Sequence, residues 1–164
     1  MGNRAIVVFK DGTEYSQAVY LHWNGGAESV MAFVHEMQRR NWIRTDYAAA
    51  RFCQVVGEYF TGIEESEYPD DGLSLGTYDA PKNAEELEAM SPGDNGVFVV
   101  SLVNGKYKVA QNGKAIVSLD AVFKRAAKGL RKGFENRPRE TYEGIGKFFL
   151  DLDALRKNKW KVAA

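Results

Sequence analysis

Apolar and polar positions along this chain change their period several times, and each change marks a predicted element. Ala5-Ile6-Val7-Val8-Phe9 is an unbroken β-branched and aromatic run, and the Asp11-Gly12 that follows predicts a hairpin through a type I′ turn, with a partner strand over about residues 15–23. In that partner the two-residue period places Val19, Leu21 and Trp23 on one face and Ala18, Tyr20 and His22 on the other. Asn24-Gly25-Gly26 then turns the chain. Val30, Phe33, Val34 and Met37 recur at helical spacing and predict a helix ending near Arg39-Arg40. Thr45 or Asp46 is placed to cap a second helix, whose apolar stripe is Phe52, Val55, Val56 and Tyr59.

Residues 63–95 read differently. Glu64 to Gly72 is an acidic loop, Leu73-Ser74-Leu75-Gly76 a short strand, and Ala84 to Met90 one or two helical turns. From Gly96 the alternation is that of strands: Val97 to Val103, Tyr107 with Val109, and Ala115-Ile116-Val117, separated by Asn104-Gly105 and Asn112-Gly113. Two Asn-Gly pairs between apolar runs predict a three-stranded antiparallel meander. Ser118 is placed to cap a helix carrying Leu119, Val122, Phe123, Ala126 and Leu130; Pro138 interrupts, and Ile145, Phe148, Phe149, Leu152 and Leu155 outline a last helix.

The predicted fold is therefore a single α+β domain over residues 1–164. Its antiparallel sheet is built from the N-terminal hairpin plus the meander, packed by about four helices. A chain of this length buries a full core, and 45% hydrophobic with 27% charged residues is an ordinary composition for that class.

Charge changes the picture more than composition does. Lys plus Arg and Asp plus Glu both number 22, yet residues 63–95 carry a net −9 and residues 104–164 a net +9. The acidic stretch offers Glu64, Glu65, Glu67, Asp70 and Asp71 as partner-binding residues, either as a mimic of nucleic-acid phosphates or as solvated loop. The basic C-terminal helical region 119–161 offers Lys124, Arg125, Lys128, Arg131 and Lys132, which serve nucleic-acid binding or face acidic surface. A chain of zero net charge is a poor general binder of nucleic acid.

The candidate ligand site is the corner made by Tyr20, His22, Trp23, Asn24, Gly25 and Gly26. It leads into a helix N-terminus, where free N–H groups and the dipole favour an anion, and its rings can stack on a base. The alternative is a tight turn whose glycines supply positive φ and whose aromatics lie in the core. The glycine pattern is neither a P-loop nor a dinucleotide fingerprint, and Gly144-Ile145-Gly146-Lys147 lacks the strand and spacing of a phosphate loop. His22 and His35 are the only histidines and Cys53 the only cysteine. No metal site, disulfide or cofactor is expected, and no catalytic residue is assigned; a Cys53–His22 pair is disfavoured because Cys53 adjoins an apolar helix face. No apolar run approaches a bilayer span and no signal-peptide layout opens the chain, so a cytoplasmic protein without membrane contact is expected.

The Tyr20 to Gly26 run, with Glu28-Ser29-Val30, Ala32-Phe33, Tyr47, Ala50-Arg51, Gln54, Tyr59-Phe60, Leu73 to Gly76 and Asp94-Asn95-Gly96, resembles a family of small uncharacterised bacteriophage and prophage proteins. The resemblance covers roughly residues 5–103; the basic helical end from Leu119 departs from it. It carries no catalytic residues over. What it implies is a non-enzymatic accessory protein in the host cytoplasm that binds a host protein or protein complex stoichiometrically, as inhibitors of bacterial defence of the anti-CRISPR type do. Two alternatives stand beside it: a nucleotide- or phosphate-binding protein using the 20–26 corner, and a nucleic-acid binder using the basic C-terminal helices.

Overall fold

The computed structural model describes residues 3–61, 75–116 and 137–162. Strand β1 (Ala5–Asp11) lies at the centre of the sheet. On one side it pairs antiparallel with β3 (Ala18–Leu21), which pairs antiparallel with the edge strand β4 (Leu75–Tyr78). On the other side β1 pairs parallel with β5 (Val97–Val103), in a register that sets Ile6 against Val97 and Phe9 against Val100. Strands β6 (Lys106–Gln111) and β7 (Lys114–Ile116) follow antiparallel, and the two-residue β2 (Glu14–Tyr15) pairs with the end of β1. The expected antiparallel sheet is thus corrected to a mixed one. Its two halves are joined by parallel pairing of strands ninety residues apart in sequence, not as a separate hairpin and meander.

The turns explain most of the local geometry. Asn104 and Gly105, and Asn112 and Gly113, all hold positive φ, which is the type I′ requirement at both central residues. At the first turn only Gly12 is left-handed, the pattern of a type II′ turn in place of the I′ turn expected there. The second hairpin strand is also broken: Ser16 Oγ accepts from the Phe9 N–H at 3.0 Å and separates β2 from β3.

Helices α1 (Ala27–Arg39), α2 (Ala48–Thr61) and α4 (Arg137–Val162) cover one face. There Val7 and Phe9 of β1, Val19 and Leu21 of β3, and Phe98 and Val100 of β5 meet Phe33 and Met37 of α1, Phe52 and Val56 of α2, and Ile145 and Phe149 of α4. Phe52 lies edge-on to both Phe9 and Phe33, and Tyr59 edge-on to Phe148. On the other face Ile6, Val8, Ala18 and Val97 pack under Leu87 of the short helix α3 (Ala84–Ala89). Asn83 caps α3, its side chain accepting from the Glu86 N–H at 2.9 Å. The predicted helix after Ser118 lies outside the described residues, as does the acidic loop from Glu64 to Gly72.

Candidate functional site

The 20–26 corner is built differently from either sequence expectation. Positive φ falls on Asn24 (φ 55), and neither Gly25 nor Gly26 is left-handed. Gly25 is required by close approach: a Cβ there would stand 2.5 Å from the Asn3 carbonyl oxygen and 2.8 Å from the Ala5 backbone nitrogen. Its N–H donates to the Asn3 carbonyl at 2.7 Å, and Asn3 N–H donates to the His22 carbonyl at 3.1 Å, so the corner is tied to the start of β1. The anion expected at the N-terminus of α1 comes from the chain itself, because the Glu28 carboxylate lies against Gly26 and accepts from its own backbone N–H. Burial pushes the Glu28 carboxyl above its ordinary pKa, and that backbone bond offsets the shift only in part.

Tyr20, His22 and Trp23 are half-buried and not sealed in the core. The Tyr20 hydroxyl is bonded to His22 Nδ1 at 2.9 Å, and the His22 ring meets Trp23 edge-on with centroids 4.9 Å apart. Tyr20 also meets the exposed Tyr78 edge-on across the β3–β4 pair. The structure therefore brings five of the six corner residues into one turn tied to Asn3 by backbone bonds, and the sixth, Tyr20, onto the strand beside it.

Glu64, Glu65, Glu67, Asp70 and Asp71, and Lys124, Arg125, Lys128, Arg131 and Lys132, lie outside the described residues. Asp94, at the far end of the acidic stretch, is held by a two-pronged Arg4 contact of 2.8 and 3.1 Å. Those hydrogen bonds, more than burial opposes them, lower the Asp94 carboxyl to about 2. Cys53 packs on the helical face of the sheet, and burial raises its thiol pKa, the opposite of an activated nucleophile. His22 instead bonds Tyr20 and meets Trp23 at the corner. Among the described residues no group of three or more His, Cys, Asp and Glu side chains is arranged to hold a metal ion, and no helix is long and apolar enough to cross a membrane.

The arrangement that sequence reading missed is the connection from α1 to α2. Helix α1 ends in a Schellman motif: Asn41 takes φ 58, its N–H reaches the Gln38 carbonyl, and the Trp42 N–H reaches the Met37 carbonyl at 2.9 Å. The Tyr107 hydroxyl then donates to the Trp42 carbonyl at 2.7 Å, and Thr45 Oγ1 donates to Asp11 Oδ2 at 2.7 Å. Thr45 thereby pins the loop to β1 and does not cap α2, which is entered through a single 3₁₀ turn, Thr45–Tyr47.

This pinned backbone displays an arginine and aromatic pocket of about 220 Å³, lined by Asn41, Trp42, Ile43, Arg44, Tyr47 and Arg51. The Arg51 guanidinium lies 4.5 Å from the Trp42 ring centroid and Arg44 5.2 Å from that of Tyr47. Across the same 3₁₀ turn is a second cleft of about 400 Å³, whose lining includes Phe9, Tyr15, Asp11, Glu14 and Asp46. Arg44 Nη2 pairs with Asp46 at 2.6 Å, bridging the two. The spacing of Arg44, Tyr47 and Arg51 at i, i+3, i+7 is the sequence signal that this surface existed.

Next to the pocket, under Trp42, sits a charge cluster centred on a buried carboxylate. Glu36 of α1 is 3% exposed and accepts from Arg39 Nε at 2.7 Å, Arg39 Nη2 at 2.9 Å and Arg40 Nε at 2.5 Å. Arg40 continues to Glu58 of α2 at 2.8 Å and lies over both Trp42 and Phe149, while Arg39 reaches Asp153 of α4 at 3.2 Å. Burial alone would favour loss of the Arg40 proton, but the bonds to Glu58 and Glu36 outweigh it and hold the guanidinium firmly charged.

No family model, curated protein or solved structure matches this chain.

Proposed function

We propose that this protein is a non-enzymatic phage or prophage accessory protein that binds a host macromolecule stoichiometrically, as an inhibitor of a bacterial defence component does. The observation that carries the binding part of this reading is the preformed surface at the α1–α2 connection. Arginine with exposed aromatic rings is the composition of interface hot spots, and Tyr47 is 58% exposed beside Arg44. Backbone hydrogen bonds at Asn41 and Trp42 and the side-chain bond from Thr45 to Asp11 hold it in place before any partner arrives, which lowers the ordering cost of association. The phage context rests on the resemblance of residues 5–103 alone.

A nucleotide or phosphate ligand at the 20–26 corner is the weaker reading, because the Glu28 carboxyl already occupies that helix end. The test is a pull-down of the tagged protein from a bacterial lysate, with and without nuclease, followed by native mass spectrometry, run on the natural chain and on the Arg44→Glu/Arg51→Glu variant. A stoichiometric protein partner that survives nuclease and is lost in the variant supports the proposal. A retained small mass with no protein partner moves the function to the corner.

A further inference from the structure

We infer that the Arg44–Arg51 pocket recognises a carboxylate-bearing segment of a protein partner, that is, an acidic peptide; this rests on the binding reading above and names the chemistry of the same surface. The pocket's size points first to a side chain. About 220 Å³ falls below the roughly 300 Å³ at which small-molecule sites begin, so it holds one acidic side chain more readily than a nucleotide.

The arginines are disposed to accept such a group. Arg51 bonds Gln54 at 2.9 Å through Nη1 and lies over the Trp42 ring; among the described residues it makes no ion pair, which leaves its charge for an incoming carboxylate. Arg44 pairs with Asp46, but both side chains are more than half exposed, and an exposed pair of this kind contributes little and exchanges readily for a partner's carboxylate. The Trp42 ring is contacted by both Arg51 and the half-buried Arg40, at 4.5 and 4.8 Å, so it is already engaged by cations and is not offered for base stacking. The exposed Tyr47 ring supplies apolar contact for the residue next to the carboxylate.

Electrostatics argue against a nucleic-acid occupant. A phosphate backbone carries a charge at every step and needs a track of cations. Among the described residues the track stops here after two arginines: Asp46 belongs to the same 3₁₀ turn, and Asp11 and Glu14 line the adjoining cleft. A single carboxylate on a peptide meets the arginines without meeting those acids.

The test uses fluorescence anisotropy with three labelled probes at low salt: a peptide of about ten residues alternating Glu and Tyr, the same peptide with Lys for Glu, and a thymidine oligonucleotide of about ten bases. The acidic peptide is expected to bind and the other two to bind at least about tenfold more weakly. Arg44→Glu/Arg51→Glu should weaken the acidic peptide by at least about tenfold and Arg51→Lys by a smaller factor, while the control Lys114→Glu on β7 leaves it unchanged. Circular dichroism verifies that each exposed substitution leaves the fold intact. An acidic peptide that does not bind, an oligonucleotide that binds as well and is released by the same substitutions, or a Lys114→Glu effect as large as that of the double variant would each overturn the assignment. If the lysate partner is lost in the double variant while the acidic peptide stays unbound, the binder reading survives and the carboxylate assignment falls. If the lysate partner is retained by the double variant, the carboxylate assignment and the role of this surface both fall, while stoichiometric binding itself stands.

Discussion

Replacing Glu36 by Gln removes one charge from the centre of the α1–α2–α4 junction while keeping the side chain's size. The carboxylate is nearly inaccessible, at 4% of its side-chain surface, and accepts three charge-assisted bonds from Arg39 and Arg40. Removing one member of a fully buried pair costs about 3–5 kcal/mol, chiefly because the surviving charge is stranded. Neither arginine is fully stranded here: Arg40 keeps Glu58 at 2.8 Å and the faces of Trp42 and Phe149, and Arg39, at 30% exposure, keeps Asp153 and water. The Gln carbonyl also still accepts one bond. The expected loss is therefore below that range, about 2–3 kcal/mol. For a chain of this size that lowers Tm by about 4–12 °C. Urea unfolding should show a lower midpoint at unchanged m, since the surface exposed on unfolding does not change. The exposed Arg44–Asp46 pair gives the internal comparison, and Arg44→Ala should leave the midpoint nearly where it was. If Glu36→Gln unfolded at the same urea concentration as the natural chain, the reasoning that this cluster fastens α4 to α1 would be refuted.

Gly25→Ala should cost about 2–4 kcal/mol, because its Cβ meets backbone atoms of Asn3 and Ala5 that cannot swing away, whereas Gly105→Ala meets nothing and should cost only the roughly 1–2 kcal/mol of its positive φ; equal urea midpoints for the two would contradict this. Asp94, lowered to about 2 by Arg4, favours the folded state above its unfolded pKa near 4, and this contribution fades as pH falls towards 2; Asp94→Asn should flatten that part of the acid-stability curve. Burial lifts the Tyr107 phenol to about 12, so its contribution is present below the unfolded pKa near 10 and is lost as pH rises towards 12; the late-titrating part of an alkaline ultraviolet titration, to which the half-buried Tyr59 also contributes, should shrink by one tyrosine in Tyr107→Phe. Cys53, with its thiol pKa raised by burial, should react slowly with an aromatic disulfide reagent in the native protein and rapidly in denaturant; equal rates would mean the thiol is not shielded.

The sequence alone determined the elements whose causes are local. Periods of 3.6 and 2 located α1, α2 and the strands, and the Asn-Gly pairs fixed the turns of β5–β6–β7, because positive φ at two successive positions is a requirement of those residues and not of their surroundings. The parallel β1–β5 pair escaped, since no local pattern specifies a partner ninety residues away; the available clue was that Ala5–Phe9 and Val97–Val100 are apolar without alternation, as strands covered on both faces are. At the candidate sites the division is the same. The Asn24-Gly25-Gly26 turn was legible, as was an acidic residue in the first turn of α1, but that Gly25 is needed for its distance from Asn3 depends on atoms from another segment. Arg44, Tyr47 and Arg51 read as surface residues of a helix start. Only the tertiary structure set Trp42 against both Arg40 and Arg51 and pinned the loop through Tyr107 and Asp11, because a preformed pocket is a relation between side chains from separate segments and exists only once the core has brought those segments together.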